Sequence, residues 1–95
     1  MSTVQDFRSV WDAIEPSSAD AAHMRMRSEL MIAIQEAVSG WRLTQAEAAK
    51  RLAVTQPRLN DLLRGRISKF SLDALVGLAT RAGLRLRIEI GRPAA

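Results

Sequence analysis

The sequence predicts a mainly α-helical domain of four to five helices, followed by one β-strand that needs a pairing partner. Three observations predict it. Apolar residues recur every three or four positions from about residue 19 to residue 79. Thr44, Thr55 and Ser71 each precede such a stretch as candidate N-caps, while Gly40, Gly65 and Gly83 follow as candidate stops. Leu84-Arg85-Leu86-Arg87-Ile88-Glu89-Ile90 then alternates apolar and charged residues, the two-residue period of a half-buried strand.

Composition narrows the class. A chain of 95 residues suits one domain. It buries only roughly two-thirds of its unfolded surface, so a partner can help complete its core. Without cysteine there is no disulfide framework, thiolate metal site or thiol nucleophile. No apolar run approaches the roughly 20 residues that span a bilayer, and MSTVQDFRSVW lacks a signal peptide's apolar block, so a cytoplasmic location and no membrane partner are expected. The net charge of +4 is unevenly placed. Residues 1–40 carry three Arg against six acids, and residues 41–95 carry eleven Lys or Arg against four. A basic half attracts polyanions, because each cation set on a phosphate releases counterions. Charge alone equally describes a solvated basic surface.

The elements follow in order. Phe7, Val10, Trp11 and Ile14 suggest a short amphipathic turn or helix ended by Pro16, after which Ser17 and Ser18 offer caps. Ala19 to Val38 predicts a long helix whose face is Met26, Leu30, Ala33, Ile34, Ala37 and Trp41, stopped at Ser39-Gly40. Thr44 with Glu47 forms a capping-box pattern, and Ala48, Ala49 and Leu52 turn inward on the next helix. After Ala53-Val54, Thr55 caps a further helix with Pro57 in its first turn and Leu59, Leu62 and Leu63 as its apolar stripe. The loop Arg66–Phe70 leads to Ser71 and to a last helix striped by Leu72, Leu75, Val76 and Ala79. The chain thus divides into an N-terminal segment (1–17), a helical domain (18–83) and a strand with a tail (84–95). The simplest partner for that strand is the same strand of a second copy; a strand lying on its own N-terminal segment is the alternative. Antiparallel pairing about Arg87 would set Arg85 against Glu89 and Leu86 against Ile88.

Gln45–Arg64 has the spacing of a helix-turn-helix, with Ala49 at the close crossing and Ala48, Leu52, Val54, Leu59 and Leu62 locking the pair. The stretch from Leu43 to Ile90 closely resembles the XRE class of helix-turn-helix proteins. Within that class it looks like the HigA-like antitoxins, which are encoded beside a RelE/HigB-type toxin. The resemblance rests on Leu43-Thr44-Gln45-Ala46-Glu47-Ala48-Ala49, Thr55-Gln56-Pro57 and Leu63-Arg64-Gly65, and extends over about residues 9–90. It implies a lambda-repressor-like bundle that dimerises through Leu84, Arg85, Leu86, Arg87, Ile88, Glu89 and Ile90. It also implies a repressor that binds a palindromic operator in its own promoter and, as an antitoxin, masks an mRNA-cleaving toxin. One departure is Ala53, where the family turn usually has Gly; if φ is positive there, alanine costs roughly 1 kcal/mol.

Helical geometry assigns candidate roles. With Leu59 and Leu62 inward, Pro57, Asp61 and Arg64 point outward and Gln56, Arg58 and Asn60 flank them. Gln56, Arg58, Asn60 and Asp61 are the base-reading candidates on double-stranded DNA. Gln or Asn suits adenine, Arg suits guanine, and Asp accepts from cytosine's amino group; Asp61 could instead sharpen selectivity by repelling phosphates. Thr44, Gln45 and Thr55 at helix N-termini, with Arg64, Arg66, Ser68 and Lys69, are candidates for the DNA backbone. Phe7, Val10, Trp11 and Ile14, in the acidic third of the chain, form a candidate surface for a basic toxin. No catalytic residue, metal site or cofactor is expected: His23 is a lone histidine, and no glycine-rich phosphate loop or ligand spacing occurs. Met24, Met26 and Met31 fit a core or an interface. Two other functions stay open: a protein-interaction module that neutralises a toxin with little DNA binding, and a stand-alone regulator without a toxin.

Overall fold

The computed structural model describes residues 18–93. The readings on Phe7, Val10, Trp11, Ile14 and the Ser17 cap therefore lie outside the described residues. Four α-helices form within them: α1 (Ser18–Trp41), α2 (Gln45–Leu52), α3 (Gln56–Leu63) and α4 (Leu72–Arg81), with a 3-10 turn at Ile67–Lys69 before α4. The long α1 packs mainly along α4, while α2 packs on α3. One core joins them, its largest fully buried side chains being Phe70, Ile34, Leu52, Leu59, Leu62 and Leu75. No helix among the described residues is long and apolar enough to cross a membrane.

Two features of α1 differ from the sequence pattern. The helix does not stop at Gly40 but continues to Trp41, and the left-handed residue is Arg42, with φ 56°. Trp41 packs against the core, and the Arg51 guanidinium lies 4.0 Å above its ring. That anchoring offsets the roughly 1 kcal/mol that a helical glycine costs. The buried face is Met31, Ile34 and Val38 flanked by Leu30, Ala37 and Trp41, whereas Met26 is 49% exposed. The stripe is therefore turned by about one position from the sequence reading. In α4 the buried set is Leu75, Leu78 and Ala79, and Val76 is exposed. Met26 and Val76 instead line an open groove between α1 and α4.

The helix ends obey one rule. Thr44, Thr55 and Ser71 each accept a hydrogen bond from the backbone N–H three residues on, at 3.1, 3.2 and 3.1 Å. At the C-terminal ends of α2, α3 and α4 the same two-bond closure recurs, a six-to-one bond over a five-to-two bond. The pairs are Val54 N–H to Ala49 O with Ala53 N–H to Lys50 O, Arg66 N–H to Asp61 O with Gly65 N–H to Leu62 O, and Leu84 N–H to Ala79 O with Gly83 N–H to Thr80 O. The closure requires positive φ at Ala53, Gly65 and Gly83, which take 58°, 73° and 82°.

After Gly83 only Leu84 packs on the core. Leu86, Ile88 and Ile90 are 44%, 85% and 84% exposed. Residues 84–93 carry no strand in the single protomer, and no strand occurs among the described residues. A strand exists only through a ladder partner, and the described residues offer none beside this segment.

Alanine at φ 58° is strained where glycine is not. Ala53→Gly is expected to raise stability by about 0.5 kcal/mol or more, the strain relieved exceeding the entropy that glycine adds to the unfolded chain. A urea titration giving a higher midpoint at unchanged slope checks it.

Candidate nucleic-acid interface

The interface is built on a close helix crossing. Ala48 and Ala49 of α2 are buried at 2% and 3% exposure, and Leu59 and Leu62 of α3 at 0% and 1%. With methyl groups on one helix and leucines on the other, the turn Ala53–Thr55 carries α3 across α2 and leaves its opposite face to solvent. Gln56, Pro57 and Arg64 are exposed on that face, and Asn60 is half-buried beside them.

Not every outward position of α3 is free. Asp61 points away from the buried leucines, yet its side chain is only 19% exposed because the loop after α3 folds over it. Its carboxylate oxygens lie 3.6 Å from the Arg66 guanidinium and 3.9 Å from Lys69 Nζ. Arg58 is engaged from the other side. Its guanidinium stacks 3.9 Å above the Phe70 ring and donates to the Lys69 carbonyl at 2.7 Å. Phe70 itself is 1% exposed, and its carbonyl accepts a long bond of 3.4 Å from Arg27 of α1. Arg58 therefore braces the loop and Asp61 is engaged by two of its cations, whereas Gln56 and Asn60 are the base-reading candidates without such ties. From the core side, Gln35 of α1 donates to the Leu62 carbonyl at 2.8 Å and fixes the far end of α3.

The backbone-contact candidates gather at the edges of this face. Arg64, Arg66, Ser68 and Lys69 are all exposed around the C-terminal end of α3. Thr44, Gln45 and Thr55 are exposed at the N-terminal ends of α2 and α3, where unpaired N–H groups and the positive dipole end favour anions. The Thr44 cap is a full capping box. Glu47 Oε1 accepts from the Thr44 N–H at 2.9 Å and from its hydroxyl at 3.1 Å. These two bonds, the backbone one first, hold the Glu47 carboxyl below its ordinary value of 4.5. The sequence reading missed Arg42. It lines, with Leu43 and Gln45, a cleft beside the start of α2, and so adds a cation next to Gln45. Its only sequence signal was a position between a helix end and a cap. The dimerisation candidates Leu84 to Ile90 follow α4, and Leu86 to Glu89 among them line a groove with Met26 and Leu30 of α1 and Leu72 and Val76 of α4.

A buried alanine seam, two threonine caps, a three-residue turn and an uncovered polar face define a helix-turn-helix. The profile of the helix-turn-helix domain family matches residues 13–91, and the chain belongs to that family. A solved structure named as a candidate XRE-family transcriptional regulator superposes with a TM-score of 0.70 at 30% identity, over 80% of this chain and 91% of that one, so the domain is of the XRE type. No curated protein matches the chain.

Because the Glu47 pKa is lowered on folding, the capping box stabilises fully above the unfolded value of 4.5 and loses its effect as pH falls through the lower folded value. Urea midpoints of the wild type and Glu47→Ala should differ at pH 6 and converge in acid below 4.5. A gap that stayed constant with pH would assign the effect to helix propensity instead.

Proposed function

We propose that this chain is a sequence-specific DNA-binding transcriptional repressor that acts as a homodimer. The observation that carries the reading is the solvent-facing polar side of α3, with Gln56, Asn60 and Arg64 on it, held up by the buried Ala48–Ala49 seam and ringed by Arg66, Ser68 and Lys69. In the major groove Gln56 and Asn60 read base edges, while Thr44, Gln45, Thr55, Arg64, Arg66, Ser68 and Lys69 hold the backbone. Gln56 stands at the start of α3, the end that reaches deepest in this motif. Similarity to an XRE-family regulator supports the same reading.

One α3 reads one half-site. A two-fold pair reads two, about 34 Å or a multiple of it apart. We assign the pairing to Leu84–Ile90, in support of which stand the exposure of Ile88 and Ile90 and the absence of a strand ladder on this segment among the described residues. The proposal of a palindromic operator follows from that two-fold. The antitoxin role, with a RelE/HigB-like toxin as partner, rests on the resemblance of Leu43–Ile90 to HigA-like antitoxins. Co-purification of the product of the adjacent reading frame, when both are expressed together, tests it.

Three outcomes are expected. Gln56→Ala should relax discrimination at one position of each half-site by roughly 1–3 kcal/mol, read by anisotropy on a panel of single-base variants. Arg64→Ala should weaken binding to all duplexes alike and lower the salt slope by about one. Ile88→Asp should leave a folded monomer in sedimentation velocity at micromolar concentration. Equal base profiles for Gln56→Ala and Arg64→Ala would refute the division of roles.

A further inference from the structure

We propose that Asp61 sets specificity by holding Arg66 and Lys69 back from DNA that α3 does not fit. The inference rests on the DNA-binding reading and deepens it. Asp61 sits at a position that helical geometry turns outward, yet its carboxylate lies between two cations, at 3.6 Å from Arg66 and 3.9 Å from Lys69. Those two cations are about half exposed, at 46% and 53%, so they remain within reach of a phosphate backbone. The loop that carries them does not depend on the pairs. It is pinned by Arg58 to the Lys69 carbonyl and to the Phe70 ring, by Arg27 to the Phe70 carbonyl, and by the closure at Gly65. Removing the carboxylate therefore releases two charges without releasing the loop.

The physics follows from counterion release. A cation already matched by a carboxylate contributes less to binding any duplex, because the phosphate must displace that partner first. A carboxylate left facing phosphates is also repelled by them. Both effects weigh most on a duplex held through its backbone alone, where nothing fixes the register of its phosphates against Arg66 and Lys69. On a matched site Gln56 and Asn60 fix α3 in the groove, and in that one register Arg66 and Lys69 meet phosphates from their exposed sides while keeping Asp61, so the cost is smaller there and the two affinities differ. Asp61 acts through its two partners and touches no base, so it is a positioning residue.

The test is Asp61→Asn in the full chain, with anisotropy titrations on two fluorescent duplexes across a potassium chloride series. One duplex is the DNA upstream of the protein's own reading frame; the other is a random sequence of equal length. The variant should bind the random duplex about tenfold more tightly at low salt, with a salt slope steeper by about one to two. Its preference for the upstream duplex should fall correspondingly. Asp61→Asn combined with Arg66→Gln and Lys69→Gln should return the random-duplex slope to the wild-type value or below, a reversal that a general loosening of the fold would not give. Unchanged random-duplex binding in Asp61→Asn, with loss confined to one base position of the upstream duplex, would make Asp61 a base reader and overturn the proposal. Unchanged binding to both duplexes would overturn it equally. A wild-type chain that bound neither duplex would instead remove the parent reading, and this one with it.

Discussion

Close approach of α2 to α3 depends on two methyl groups. Ala48 and Ala49 meet the Leu59 and Leu62 side of α3 at almost zero exposure, and a longer side chain at either position would push the helices apart. Everything that faces solvent on α3 takes its position from that seam. The seam is reinforced at both ends by backbone chemistry. Thr44 and Thr55 satisfy first-turn N–H groups, and the closures at Ala53 and Gly65 satisfy last-turn carbonyls. In a domain with few large side chains, hydrogen-bonded ends supply much of the definition that a deeper core would supply elsewhere.

Much of this was legible in advance. The three caps, the Ala48–Ala49 seam, the Leu59–Leu62 stripe and the strained Ala53 all follow from short-range rules, because each involves residues within one or two turns of each other. The readings that shifted involve long-range packing. Gly40 lies inside α1 because Trp41, one residue on, finds the core and Arg51. Met26 and Val76 are exposed because they line a groove shared by α1, α4 and the Leu86–Glu89 segment, which no local pattern encodes.

The candidate interface divides in the same way. Its location on α3 was readable from periodicity, since Leu59 and Leu62 fix which side is hidden. The engagement of Arg58 and Asp61 was not, because the angle of a side chain on a helix says nothing of a loop that returns across it. Phe70 was the missing datum: eleven residues from Leu59, it enters the core and draws Arg66–Lys69 over the end of α3. The alternation of residues 84–90 is plain in sequence, but a ladder belongs to two segments, and the described residues supply one of them.

The loop after α3 is fastened by main-chain carbonyls of Lys69 and Phe70 and by a buried aromatic ring, so its course does not depend on which side chains stand at positions 66 and 68. Those positions can change without unfastening the loop. A lineage built on this scaffold can exchange them and tune the charge beside α3 in single steps, while the scaffold itself pays no penalty in folding.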